Sequence, residues 1–93
     1  IFACEKAVVE MNRNSRNKIM EQCTGGAIVS FGRFSVNGFE IFDGCKFFFD
    51  TDRWLLIRSL PSEPYIQLYS EAESEDIARE IIYSAIKVIM EIK

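Results

Sequence analysis

The chain has 93 residues, of which 48% are hydrophobic and 27% charged, with a formal charge of −3 and no histidine. That length and balance fit one globular domain over 1–93, with a core large enough to need neither metal nor disulfide. Without imidazole, serine–histidine and cysteine–histidine nucleophile pairs and the usual metal ligand are excluded. The acidic field argues against nucleic acid as a partner, because an anion gains nothing from counterion release.

At the N-terminus, Ile1-Phe2-Ala3-Cys4-Glu5-Lys6 does not make a secretory signal, and there is no initiating methionine. The expectation is a domain cut from a longer protein. No apolar run approaches the roughly 20 residues that cross a bilayer, so no membrane partner is expected and the cytoplasm is the natural location. Ala7-Val8-Val9-Glu10-Met11 fits a strand or part of a helix, and so few residues do not decide between them. Next, Asn12 or Asn14 can cap a short helix that buries Ile19, Met20 and Cys23 and stops at Gly25-Gly26. Residues 27–35 read as extended or loop. Cys4, Cys23 and Cys45 are odd in number and lack CxxC spacing, which points to buried free thiols in a reducing compartment.

Strands follow. Residues 37–42 lead into Asp43-Gly44, a strong hairpin signal, and residues 45–49 return. Asp50-Thr51-Asp52 makes a second turn before residues 53–58, and residues 65–69 alternate Ile66 and Leu68 with Tyr65, Gln67 and Tyr69. The first three of these strands form an antiparallel meander, and the longer loop allows the fourth to lie alongside. Ser74 then caps a helix whose first turn carries Glu75 and Asp76. Ile77, Ala78, Ile81, Ile82, Ala85, Val88, Ile89 and Ile92 form its apolar stripe.

The chemistry concentrates in Arg58-Ser59-Leu60-Pro61-Ser62-Glu63-Pro64. A guanidinium, two hydroxyls and a rigid turn leaving a sheet edge are suited to a phosphate, since the arginine fork matches phosphate oxygens bidentately. Residue types alone favour a proline-stiffened connection whose arginine pairs with a nearby carboxylate.

The order of motifs adds to this. Asp43-Gly44, Trp54-Leu55-Leu56-Ile57-Arg58, Glu63-Pro64, Glu71-Ala72 and Ser74-Glu75 resemble the C-terminal domain of the α-D-phosphohexomutases, the phosphoglucomutase and phosphomannomutase family. The resemblance covers residues 37–93 well and residues 6–23 more loosely. It implies an α+β two-layer sandwich, TATA-binding-protein-like in shape: a mainly antiparallel sheet of four or five strands with two helices on one face. It also implies a four-domain isomerase that moves phosphate between O1 and O6 of a hexose, using a phosphoserine in its first domain. Mg²⁺ would sit on an aspartate loop in the second domain, so none is expected in this chain, and the third would read the sugar hydroxyls. The fourth would grip the phosphate that is not reacting and help close the cleft. The partners implied are a hexose phosphate substrate and the other domains of that enzyme. As an isolated domain the chain would not be catalytic.

Carried over by position, Arg58 matches the family's arginine, Ser62 its threonine, and Glu63 and Pro64 its closing pair, while Ser59 takes the place of a proline. Arg58 would be the charged anchor, Ser59 and Ser62 hydroxyl donors, and Glu63 a brace for the loop. Leu60 stands where the family has its phosphate-binding serine, and Pro61 where it has glycine or asparagine, removing a hydroxyl and a backbone N–H. These departures favour the alternative function: a non-catalytic interaction domain that keeps the fold and has lost phosphate binding. Other features have ordinary explanations. Glu71, Glu73, Glu75 and Asp76 suit a solvated strand end and first helical turn; Asp50 and Asp52 suit a turn; Arg13, Arg16 and Lys18 suit a solvated helix face; Trp54 and Phe47-Phe48-Phe49 suit a core.

Overall fold

The computed structural model describes residues 2–50 and 52–93. In chain order its elements are β1 (Ala3–Glu10), α1 (Arg13–Thr24), β2 (Ser30–Phe31), β3 (Phe34–Ser35), β4 (Gly38–Ile41), β5 (Cys45–Asp50), β6 (Arg53–Ser59), β7 (Tyr65–Ala72) and α2 (Glu75–Ile92). Five strands form an antiparallel sheet in the order β1-β7-β6-β5-β4, and both helices cover one face of it. This is the α+β two-layer sandwich that the sequence leads one to expect.

The strand alternation decides which side chains form the core. Cys45, Phe47 and Phe49 of β5, Leu55 and Ile57 of β6, and Ile66, Leu68, Ser70 and Ala72 of β7 point to the helices and are buried. The intervening residues, including Lys46, Trp54, Leu56, Arg58, Gln67 and Tyr69, line the opposite face and are half-buried. Residues 7–11, ambiguous in sequence, extend as far as Glu10 because β7 offers a free pairing edge. Ala3 to Glu10 pair in continuous register with Ala72 to Tyr65. A tertiary partner settles what local periodicity leaves open.

Helix α1 begins at Arg13, because the Asn12 side chain accepts the Ser15 N–H at 2.8 Å. It ends at Gly25, whose N–H donates to the Glu21 carbonyl; a Cβ at Gly25 would lie 2.9 Å from that oxygen. Helix α2 is capped by Ser74, whose hydroxyl accepts the Ile77 N–H, and it buries Ala78, Ile81, Ile82, Ala85 and Ile89. Ser70 is fully buried but satisfied: its Oγ donates to the Ala78 carbonyl at 2.7 Å and ties β7 to α2. No helix among the described residues is long and apolar enough to cross a membrane.

Residues 27–35 contain the short β2–β3 hairpin, which turns through Gly32 at φ +61°. It delivers Phe31 and Phe34 to one end of the core. Phe31 meets Phe47 edge-on at 4.9 Å between ring centroids, and Phe34 lies 5.6 Å from Phe49. Too short to signal itself by alternation, this hairpin exists because two phenylalanines are buried.

Two expectations are corrected. Arg16 is not on a solvated helix face: it is 7% exposed, and its Nη1 donates to the Met11 carbonyl at 2.6 Å. Among the cysteines, Cys23 and Cys45 are buried but Cys4 is exposed, because β1 is an edge strand and Cys4 lies on the face without helices. Burial pushes the Cys23 thiol up to about 12 and the Cys45 thiol up to about 11. A thiol reagent should therefore titrate one cysteine rapidly in the native protein and all three only in denaturant. Two or three fast thiols under native conditions would contradict this burial.

Of the turn expected at Asp50-Thr51-Asp52, Thr51 lies outside the described residues. Beyond it Arg53 binds Glu73, with Nε donating to Oε1 at 2.8 Å, and its Nη1 lies 3.4 Å from Asp50. This hydrogen bond is the main reason the Glu73 carboxyl falls to about 2. Since its folded value lies below the ordinary value of 4.5, the contribution to stability is present above that value. It is lost as pH falls towards 2. Thermal melts from pH 6 to about 2 should show a decline that Arg53→Met flattens; identical slopes for both proteins would rule the pair out as its source.

Candidate functional site

Strand β6 lies centrally in the sheet, between β5 and β7, and Arg58 is its penultimate residue. Leu55 and Ile57 anchor the strand in the core, so alternation turns Arg58 onto the face without helices. Its side chain is 26% exposed, with Nη1 3.4 Å from Oδ2 of Asp43, itself 62% exposed. That separation exceeds the roughly 2.7–2.9 Å of a charge-assisted hydrogen bond, so the contact is an open ion pair. The Nε of Arg58 is buried and has no hydrogen-bond partner among the described residues; the same is true of Oε1 of Gln67, the residue paired with Arg58 on β7.

The Asp43 hairpin is built against this arginine. Asp43 takes φ +55° and Gly44 takes φ +129°. A Cβ on Gly44 would stand 2.7 Å from the Cβ of Arg58 and 2.8 Å from the Ile57 carbonyl. Glycine there lets the β4–β5 turn fold down beside Arg58, and Asp43 then reaches the guanidinium.

The other residues singled out in the loop do not all gather around Arg58. Ser59 closes β6 opposite Ile66, so its side chain leaves the strand on the helix-covered side, away from the guanidinium. The Glu63 N–H donates to the Leu60 carbonyl at 3.0 Å, which closes a turn with Pro61 and Ser62 exposed at its tip and Glu63 half-buried. Past the turn, the Pro64 carbonyl accepts the Met11 N–H at 3.1 Å, and the Met11 carbonyl accepts from Arg16. Arg16 thereby fixes the base of the loop beside the start of α1, the positive end of that helix's dipole.

A concavity of about 290 Å³ opens next to Asp43, lined by Glu40, Phe42, Asp43, Lys46 and Leu56. A second, of about 260 Å³, lies further along the same face over Cys4, Lys6, Trp54 and Tyr69. Trp54 is part of that face rather than of the core: its indole N–H donates to Glu71 at 2.7 Å, and the Lys46 ammonium sits 4.3 Å over its ring. Of the acidic residues expected as solvated surface, Glu73, Glu75 and Asp76 are exposed and Glu71 is half-buried; Glu71 accepts from Trp54, Glu73 from Arg53, and Glu75 pairs with Arg79 at the surface. Among the described residues no three cysteine, aspartate or glutamate side chains gather to hold a metal ion.

Sequence reasoning passed over three residues here. Asp43 appeared only as a turn former, Gln67 only as an alternating polar position, and Arg16 only as surface charge. The Asp-Gly step was a signal for Asp43; nothing local marks the other two, because pairing across strands and packing of α1 create their roles.

No protein-family profile matches the chain. It is 47% identical over 49 residues to a phosphoglucomutase/phosphomannomutase of Thermococcus kodakarensis, a span of 53% of this chain and 10% of that protein. It is 38% identical over 50 residues to a phosphoglucosamine mutase of Methanococcus aeolicus, 54% of this chain and 11% of that protein. The match thus spans about a tenth of the length of these relatives. Both similarities agree with the resemblance to phosphohexomutases drawn from the motifs.

Proposed function

We propose that this chain is the C-terminal domain of a phosphohexomutase, a single domain over residues 1–93 that grips the non-reacting phosphate of a hexose phosphate. The observation that carries the reading is Arg58. A cation stands at the rim of the sheet on a rigid central strand, held among the described residues by one loose ion pair. A phosphate dianion offers what that guanidinium lacks, namely several short charge-assisted hydrogen bonds at once. Ser62, exposed at the tip of the Leu60–Glu63 turn, would add a hydroxyl, and Glu63 braces the turn through its N–H. Ser59 takes part only if the strand end rotates.

In this role the domain performs no bond making. It holds the remote phosphate, and that binding energy positions the reacting end of the sugar against groups on other domains. Mg²⁺ enters only with the family resemblance and is assigned to another domain; when bound it supplies charge stabilisation for phosphoryl transfer. The other domains of the enzyme are then the physical partners, and a cytoplasmic location follows from the same reading.

The test is a titration of the chain with inorganic phosphate and with glucose 1-phosphate, followed by backbone amide shifts. Responses centred on residues 58–64 are expected. Responses confined to other surfaces would favour the interaction domain that has lost its phosphate grip, the reading to which Leu60 and Pro61 point.

A further inference from the structure

The resting position of Arg58 leaves two complementary atoms unused. Among the described residues its Nε is a buried donor without a partner, and Gln67 Oε1 is a buried acceptor without one, on residues directly paired across β6 and β7. Paired side chains on one face have Cβ atoms roughly 4.5–5.5 Å apart, within reach of a hydrogen bond for arginine and glutamine. The guanidinium stands instead beside Asp43, 3.4 Å from Nη1, which is presented by a turn that Gly44 lets approach Arg58 closely. An anion held against a cation by the fold occupies the cation's binding directions.

We propose that Asp43 is an internal competitor for the phosphate: it latches Arg58 in the empty domain, and the ligand binds by displacing it. On release, Arg58 Nε donates to Gln67 Oε1, and the two terminal nitrogens turn together towards the anion. This rests on the phosphate-binding reading and adds to it a positioning role for Asp43 and Gln67. The latch is weak by construction. Asp43 is largely exposed and its contact with Arg58 is long, so water screens the pair and a dianion outcompetes a single carboxylate.

Asp43→Asn is the informative variant, because asparagine adopts positive φ as readily as aspartate and keeps the turn while removing the charge. It should bind inorganic phosphate roughly two- to fivefold more tightly than the parent chain, the fold-change equivalent to an exposed ion pair. Glu40→Gln removes the same charge from the same hairpin and should leave phosphate affinity unchanged. A second measurement needs no ligand: rotation about the Arg58 Nε–Cζ bond, seen in its side-chain ¹⁵N resonances, should be faster in Asp43→Asn than in the parent.

Equal affinity and equal rotation in Asp43→Asn and the parent, with phosphate still bound at residues 58–64, would overturn the latch and leave the phosphate reading standing. Equal gains from Asp43→Asn and Glu40→Gln would also overturn it, since a general field would then be responsible. Faster rotation with no phosphate response in any variant would retain the latch and sink the phosphate reading instead.

Discussion

Arg58→Ala should lose phosphate binding by roughly 10- to 150-fold, the equivalent of about 1.5–3 kcal/mol for hydrogen bonding to a charged group. The fold should survive, because Arg58 lies at the end of β6 and the carboxylate it leaves behind, Asp43, is already 62% exposed. An exposed partner regains water, so the stability change should stay within about 1 kcal/mol. Arg58→Lys keeps the charge but not the planar fork and should fall between the parent and alanine. Amide shifts at residues 58–64 measure the affinity, and a thermal melt measures the fold. In an intact phosphohexomutase the alanine variant should raise KM. Phosphate shifts of parental size in a folded Arg58→Ala chain would remove Arg58 as the anchor.

A larger effect on stability is expected in the core. Phe47→Ala should destabilise the domain by about 3–5 kcal/mol, from lost burial and from the cavity left behind. Phe47 is fully buried on β5, meets Phe31 of β2 edge-on at 4.9 Å and lies 6.0 Å from Phe39 of β4, so two other elements pack on its ring. With total stability of about 5–15 kcal/mol for natural domains, that is a large share. In a chain of this size each kcal/mol moves the melting temperature by roughly 4–8 °C. Phe48→Ala, one residue along on the opposite face and half-buried, should cost much less. Denaturant melts of the two variants decide the matter; equal losses would mean that the face without helices is packed as tightly as the core.

Much of the fold was legible in the residues. The helix from Ser74, the Asp-Gly hairpin and the strands around Trp54 and Ile66 announce themselves by periodicity, caps and turn chemistry, which are local properties. The candidate loop and its arginine were legible for a related reason: a rigid Pro-containing turn after a strand that ends in arginine is a contiguous pattern. Ser59 was harder to judge. Adjacency in sequence suggests adjacency in space, whereas in a strand it places neighbours on opposite faces, and Ser59 parts from Arg58 on that account.

Local chemistry, then, determined where strands and helices start and stop, how β4, β5 and β6 run back and forth, and which residue carries the cation. Tertiary contacts decided the rest: that residues 3–10 become a strand because β7 has a free edge, that Arg16 is buried to tie α1 to the base of the loop, and that Phe31 draws residues 30–35 into a hairpin. They also decided that Asp43 faces Arg58. The physical reason is common to all four. Each depends on a segment distant in the chain (for Arg16, the Pro64 carbonyl that Met11 binds), and that segment's position is set by packing and pairing, which a local sequence pattern does not contain.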